Sequence, residues 1–108
     1  MVVVEGRPEA RLSSIVIDTN VWLDYYLGFR AGHRDAVELL DTANELGIAM
    51  LCAVTATKDL FYLIAAAQRA DADLLVTNDK ELVSHSPVAA LICEDALAYL
   101  KALRDVGE

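Results

Sequence analysis

Two acidic residues each follow a short apolar run that is typical of a buried strand. Asp18 ends the run 14–18, and Asp79 comes two residues after the run 73–77. If the two strands are neighbours in a parallel sheet, their axes lie about 5 Å apart and the two carboxylates meet at one edge. Carboxylate oxygens are the ligands that Mg²⁺ and similar hard cations prefer. The spacing therefore predicts a divalent-cation site, where a bound ion can generate hydroxide and stabilise the leaving oxygen of a phosphodiester.

Asp59 is a third candidate for this site. It lies near the start of a long predicted helix that directly follows the second predicted strand. We expect its side chain to project toward the same edge as Asp18. An acid in the first turn of a helix is also favoured by the helix dipole, by a few tenths to about 1 kcal/mol. Spacing alone leaves the functional and the structural interpretations of Asp59 open.

The elements that must position these acids alternate between strand and helix. The predicted strands are 14–18, 48–54, 73–77 and 89–92, and the predicted helices are 21–27, 33–46, 58–70, 79–83 and 94–103. Strands separated by helices predict an α/β fold with a parallel four-stranded sheet flanked by helices. Open parallel sheets bind their ligands at the carboxyl ends of the strands, which is where the acids lie. The length of the run 48–54 predicts a strand buried on both faces.

Length and composition exclude several classes of protein. A chain of 108 residues predicts a single domain over 1–108, with 1–12 as a loose N-terminal extension. The hydrophobic share of 56% excludes intrinsic disorder for most of the chain. Every window of about 18 residues contains a charge, and the apolar start is too short for a signal peptide. We therefore expect a cytoplasmic protein with no membrane contact.

Charge and cysteine usage narrow the function further. The chain has 17 acidic and 9 basic residues, for a net charge of −8. Such a surface repels phosphate backbones on average, which excludes a generic nucleic-acid binder but not a nuclease whose metal ion inverts the local charge. Cys52 and Cys93 each follow an apolar run, so each is predicted to end a buried strand as a free thiol. Structural zinc is disfavoured because no ligand set of cysteine and histidine is present.

The two acidic stretches together resemble the hallmarks of a known family. The stretch Ile-Val-Ile-Asp-Thr-Asn-Val-Trp-Leu-Asp (15–24) resembles the opening of a PIN domain, the nuclease domain of VapC-type toxins. The stretch Ala-Asp-Leu-Leu-Val-Thr-Asn-Asp-Lys-Glu-Leu (72–82) resembles its second hallmark, and Glu-Asp-Ala-Leu (94–97) the acidic start of its last helix. The resemblance extends from about Ile15 to Leu103.

This resemblance implies a three-layer α/β/α fold and a metal-dependent ribonuclease. By position, Asp18, Asp59 and Asp79 match the acids that bind Mg²⁺ or Mn²⁺ and act in catalysis. Asn20 and Thr77 match polar residues that hydrogen-bond these acids, and with Asn78 they are expected to orient the substrate. The implied partners are RNA and the protein antitoxin of a toxin–antitoxin pair.

One departure from the family is large. PIN domains have a further helical segment before the strand that corresponds to 73–77, and this segment normally supplies a third acid. In this chain residues 62–70 lead directly to the strand without such a segment, so the third acid has no match. The segment is either deleted or omitted from the 108-residue sequence. Its loss implies weaker metal binding and impaired activity. A shortened crossover also uncovers apolar surface, which favours a homodimer.

Two other functions compete with the nuclease. A PIN-derived module could bind a protein partner or dimerise without cleaving RNA. A response-regulator-like domain with an acidic Mg²⁺ pocket is disfavoured because it needs a lysine after the last strand, where this chain has Leu-Ile-Cys-Glu (91–94). The aromatic group Trp22, Tyr25 and Tyr26 could stack on RNA bases, but its amphipathic helix favours a core or an interface.

Overall fold

The elements alternate between strand and helix as the sequence predicts. The computed structural model describes residues 12–52 and 60–106, with the backbone alone for 60–63. The strands are β1 (Ser14–Ile17), β2 (Ala49–Cys52), β3 (Leu74–Val76) and β4 (Ala90–Leu91). The helices are α1 (Thr19–Tyr26), α2 (His33–Glu45), α3 (Leu60–Arg69), α4 (Lys80–His85) and α5 (Cys93–Val106). Asp59 and residues 1–11 of the predicted N-terminal extension lie outside the described residues.

The four strands form one parallel sheet in the order β2-β1-β3-β4. Ile17 at the end of β1 is in register with Cys52 of β2 on one side and with Val76 of β3 on the other. The predicted α/β class and the parallel four-stranded sheet are therefore confirmed. Since β1 and β3 pair directly, the residues that follow them come out of the sheet side by side.

The core divides into two clusters because successive side chains of a strand point to opposite faces. Ile15 and Ile17 of β1 are fully buried in the larger cluster, which also contains residues of α1, α2 and α5. Val16 of β1 belongs to the smaller cluster, with Ala67 of α3 and Leu82 of α4. The β-branched residues of β1 are thus enclosed on both sides, which fixes the strand that ends at Asp18.

The prediction that the strand after residue 48 is buried on both faces is wrong. Among the strands of residues 12–52 and 60–106, β2 lies at the edge of the sheet and pairs with β1 alone. Ala49, Leu51 and Cys52 are exposed. An edge strand has a neighbour on only one side, so solvent reaches its side chains even when the run is apolar. Cys52 ends its strand as predicted, but it is not buried.

The starts of α1 and α5 differ from the prediction, each for a local reason. α1 begins at Thr19 rather than Val21 because the Asp18 carbonyl accepts hydrogen bonds from the backbone N–H groups of Val21 and Trp22 at 3.0 and 3.3 Å. Cys93 does not end a strand: it is the first residue of α5, and its backbone N–H donates to Asn78 Oδ1 at 3.1 Å. Both cysteines are free, and Cys93 is buried as predicted.

The longest described helix is α5, with 14 residues. None of the helices in the described ranges is long and apolar enough to cross a membrane.

Candidate functional site

Asp18 lies where β1 passes into α1, at the carboxyl end of the sheet. Its backbone N–H donates to the Val76 carbonyl at 2.9 Å, which continues the β1–β3 pairing by one residue. Its carboxylate accepts a hydrogen bond at Oδ2 from the Thr77 hydroxyl, at 2.8 Å. The side chain is thus held by the neighbouring strand, and Asp18 faces the segment that leads to Asp79.

Asp79 is held by the start of α4. Its Oδ1 accepts hydrogen bonds from the backbone N–H groups of Glu81 and Leu82, both at 3.1 Å. This is the N-cap geometry in which a side-chain oxygen satisfies the first free donors of a helix. The cap fixes the Asp79 carboxylate at the start of α4.

The hydroxyl of Thr77 connects the two acids. Thr77 is fully buried, and its Oγ1 donates to Asp18 Oδ2 and accepts from the Asp79 backbone N–H at 3.1 Å. A hydroxyl can do both because it carries one donor proton and two acceptor lone pairs. The expectation that Thr77 hydrogen-bonds an acid of the site is therefore confirmed.

The remaining oxygens suit a hard cation. Asp18 Oδ1 and Asp79 Oδ2 receive no hydrogen bond from a described residue, while the other oxygen of each carboxylate is held. Mg²⁺ is usually bound through one or two carboxylates and keeps several waters. The donor set of two carboxylates fits that chemistry. Within residues 12–52 and 60–106 no group of three or more histidines, cysteines or acids is placed to hold a metal.

The two asparagines near the acids differ in their contacts. Asn20 is exposed on the first turn of α1, and among the described residues its side chain forms no hydrogen bond with Asp18 or Asp79. The Asn78 amide is bonded at both ends: Oδ1 accepts from the Cys93 backbone N–H, and Nδ2 donates to Asp24 Oδ2 at 3.4 Å. Asn78 therefore connects the turn after β3 to α1 and to α5.

Asp24 is an acid of this region that sequence reasoning did not single out. Only 6% of it is exposed, and its Oδ1 accepts from Arg30 Nε at 2.5 Å in an ion pair. Gly32 lies against the carboxylate so closely that an added Cβ would come within 2.9 Å of Asp24 Cγ. One signal was present in the sequence: Asp24 follows Val21 by one helical turn, so it falls on the buried face of an otherwise apolar helix.

The Cys93 thiol lies close to this acid but is not a reactive group. Burial raises the pKa of Cys93 to about 12, and the negative charges of Asp35 and Asp24 add to the effect. The thiolate is the nucleophile and the metal ligand, and a thiol with this pKa stays protonated at neutral pH. Cys93 therefore contributes packing to the core rather than chemistry to the site.

Comparisons of the chain with models of protein families, with curated proteins and with solved structures find no match.

Proposed function

We propose that this protein is a PIN-like, metal-dependent ribonuclease of low activity. The observation that carries the proposal is the hydrogen-bonded chain from Asp18 through the Thr77 hydroxyl to the Asp79 backbone, at the carboxyl ends of two paired parallel strands. This is the place at which open parallel sheets bind ligands. The residues that form the chain are those on which the resemblance to VapC-type toxins rests.

In the proposed site, Asp18, Asp59 and Asp79 would together hold Mg²⁺ or Mn²⁺. Bound there, such an ion would supply an activated water and stabilisation of negative charge on the phosphoryl oxygens. Thr77 keeps Asp18 in place, and the α4 cap keeps Asp79 in place. The exposed Asn20 side chain is available to orient RNA. A net charge of −8 opposes RNA binding, so the metal is also needed to offset charge locally.

The substrate is RNA, and the proposed setting is the cytoplasm, where the chain acts as the toxin of a toxin–antitoxin pair with a protein antitoxin as partner. The absence of the family's third acid lowers the expected activity. With only two or three carboxylates, the site holds its ion weakly, and cleavage is expected only when Mn²⁺ or Mg²⁺ is added at millimolar concentration.

The test is cleavage of single-stranded RNA with and without EDTA. We expect weak cleavage by the wild-type protein in Mn²⁺, none in EDTA and none by Asp18→Asn, which removes a charged ligand and keeps the shape. Asp79→Asn is a matched variant because an asparagine side chain also caps helices, so α4 persists while a ligand charge is lost. Cleavage that survives both Asp18→Asn and EDTA would show that these acids do not form a nuclease site.

An exposed apolar ridge favours a second function, a PIN-derived module that binds protein without cleaving. The ridge is Leu23, Tyr26 and Phe29, with Tyr26 70% and Phe29 84% exposed. Isolated exposed apolar residues are ordinary, but three within residues 23–29 favour an interaction surface. We propose a second copy of the chain as the partner, which gives a homodimer. Absence of RNA cleavage together with a stable dimer would favour this second function.

A further inference from the structure

We propose that Asp24 is a positioning residue for the candidate metal site, acting through Asn78 on the turn that contains Thr77 and Asp79. The inference rests on the proposed function, since it assigns Asp24 a role in metal binding. It adds a residue that neither the spacing of the acids nor the family resemblance assigns to the site.

The residues around Asp24 accommodate a buried, negatively charged carboxylate. A buried carboxylate is costly unless it is paired and hydrogen-bonded. Here Arg30 pairs with Oδ1 at 2.5 Å, and the backbone carbonyl of Asp24 is bonded by the His33 ring nitrogen Nδ1 at 2.9 Å. Gly32 supplies the space for the carboxylate, because a side chain there would overlap it. The segment 30–33 is thus folded around Asp24.

The contact from Asp24 to the site passes through the Asn78 amide. Asn78 Oδ1 must be the oxygen because it accepts from a backbone N–H, that of Cys93, at 3.1 Å. Its other end is then an NH₂ group, which donates to Asp24 Oδ2 at 3.4 Å. The orientation of the amide is fixed by both contacts together. A carboxylate accepts this bond better than a neutral amide would, because hydrogen bonds to charged groups are stronger.

Asn78 lies between the two residues whose placement the site needs. Thr77 on one side bonds Asp18, and Asp79 on the other side is the second carboxylate. The two contacts of the Asn78 amide restrain the backbone of 77–79, and this restraint is how Asp24 would act on the positions of Asp18 and Asp79. Partners outside the ligand shell that orient the ligands typically change metal affinity 10- to 100-fold when they are removed.

The experiment measures the Mn²⁺ affinity of the full chain by calorimetric titration. Asp24→Asn keeps the shape and removes the charge, and we expect it to weaken Mn²⁺ binding by about 10-fold. Asn78→Ala should weaken binding to a similar degree, and the two changes together should weaken it no further than the larger single effect. Asp41→Asn is the control: it makes the same change in net charge at an exposed position of α2, and we expect no change in affinity.

The outcomes separate a positioning role from a structural one. If Asp24→Asn lowers thermal stability without metal but leaves the Mn²⁺ affinity at the wild-type value, Asp24 serves the fold alone and the proposal fails. If Asp24→Asn does not fold, Asn78→Ala decides in its place, and an unchanged affinity again overturns the proposal. If the wild-type protein binds no Mn²⁺, the proposed function fails together with this inference, whereas binding that Asp18→Asn abolishes and Asp24→Asn leaves intact rejects this inference alone.

Discussion

At the residue scale, Thr77 shows how one side chain organises the candidate site. Its hydroxyl donates to the Asp18 carboxylate and accepts from the Asp79 backbone N–H, so one buried oxygen atom is hydrogen-bonded to both acidic residues. Valine has the same shape but neither donor nor acceptor, and it would leave the Asp79 N–H unpaired next to an unheld carboxylate. Burying an unsatisfied polar group is costly, so the site and the local fold depend on the same hydroxyl.

Cys93 gives a prediction about stability at alkaline pH. Its folded-state pKa of about 12 is above the ordinary value of 9.0, so above pH 9 the unfolded chain loses a proton that the folded chain keeps. Stability from this group is fully present below pH 9 and falls as the pH rises from 9 toward 12, by up to about 1.4 kcal/mol per pH unit. The measurement is the free energy of unfolding in urea as a function of pH.

Cys93→Ala is the matched variant for this prediction. It removes the titrating group and leaves every other alkaline titration in place, so the wild-type curve should fall more steeply than the variant curve above pH 9. Parallel curves would mean that the Cys93 thiolate is tolerated in the folded state.

At the element scale, the end of α2 depends on a residue with a left-handed backbone conformation. Gly47 follows the helix with φ of +73°, and its N–H donates to the Asn44 carbonyl at 3.1 Å. An added Cβ would meet no atom within 4 Å, so Gly47→Ala tests the backbone conformation alone. We expect it to lower the free energy of unfolding by about 1 kcal/mol, because L-residues with a side chain disfavour this region.

Gly28→Ala is the control for that substitution. A Cβ at Gly28 would contact only His33 Nε2 at 3.9 Å, an ordinary van der Waals distance. Urea unfolding should give a change within about 0.5 kcal/mol for Gly28→Ala. Equal losses from the two variants would mean that Gly47 is not specifically required by the turn after α2.

The sequence predicts the elements better than it predicts the contacts between them. The order and type of strands and helices follow from apolar periodicity, and Gly47 ends α2 where the pattern places it. The exposure of β2 does not follow, because an apolar run does not say whether its strand is central or at an edge. Asp24 and Asn78 were also missed as a pair: they are 54 residues apart, and only the packing of α1 against the turn after β3 brings them into contact.

At the scale of the whole molecule, net charge and exposed apolar surface act in opposite directions. A charge of −8 on 108 residues repels a second copy, while Leu23, Tyr26 and Phe29 lose contact with water if two ridges meet. Within the ridge, the Tyr26 ring lies edge-on to Tyr25 with ring centres 4.9 Å apart and stacks near Trp22 at 6.3 Å. Because these ring contacts already restrict Tyr26, that side chain loses less conformational freedom on association, which favours a dimer once the charge is screened.

Self-association should therefore depend on salt and on the ridge. By sedimentation velocity we expect the dimer fraction to rise between 50 and 500 mM NaCl (about 14 and 4 Å of screening length), because added salt shortens the range of repulsion. Tyr26→Ser combined with Phe29→Ser should shift the protein to monomer at all salt concentrations. Tyr99→Ser, which alters an exposed tyrosine on α5 away from the ridge, should leave the dimer unchanged. A wild-type protein that stays monomeric in high salt, or a dimer that persists in the ridge variant, would contradict the assignment of this surface.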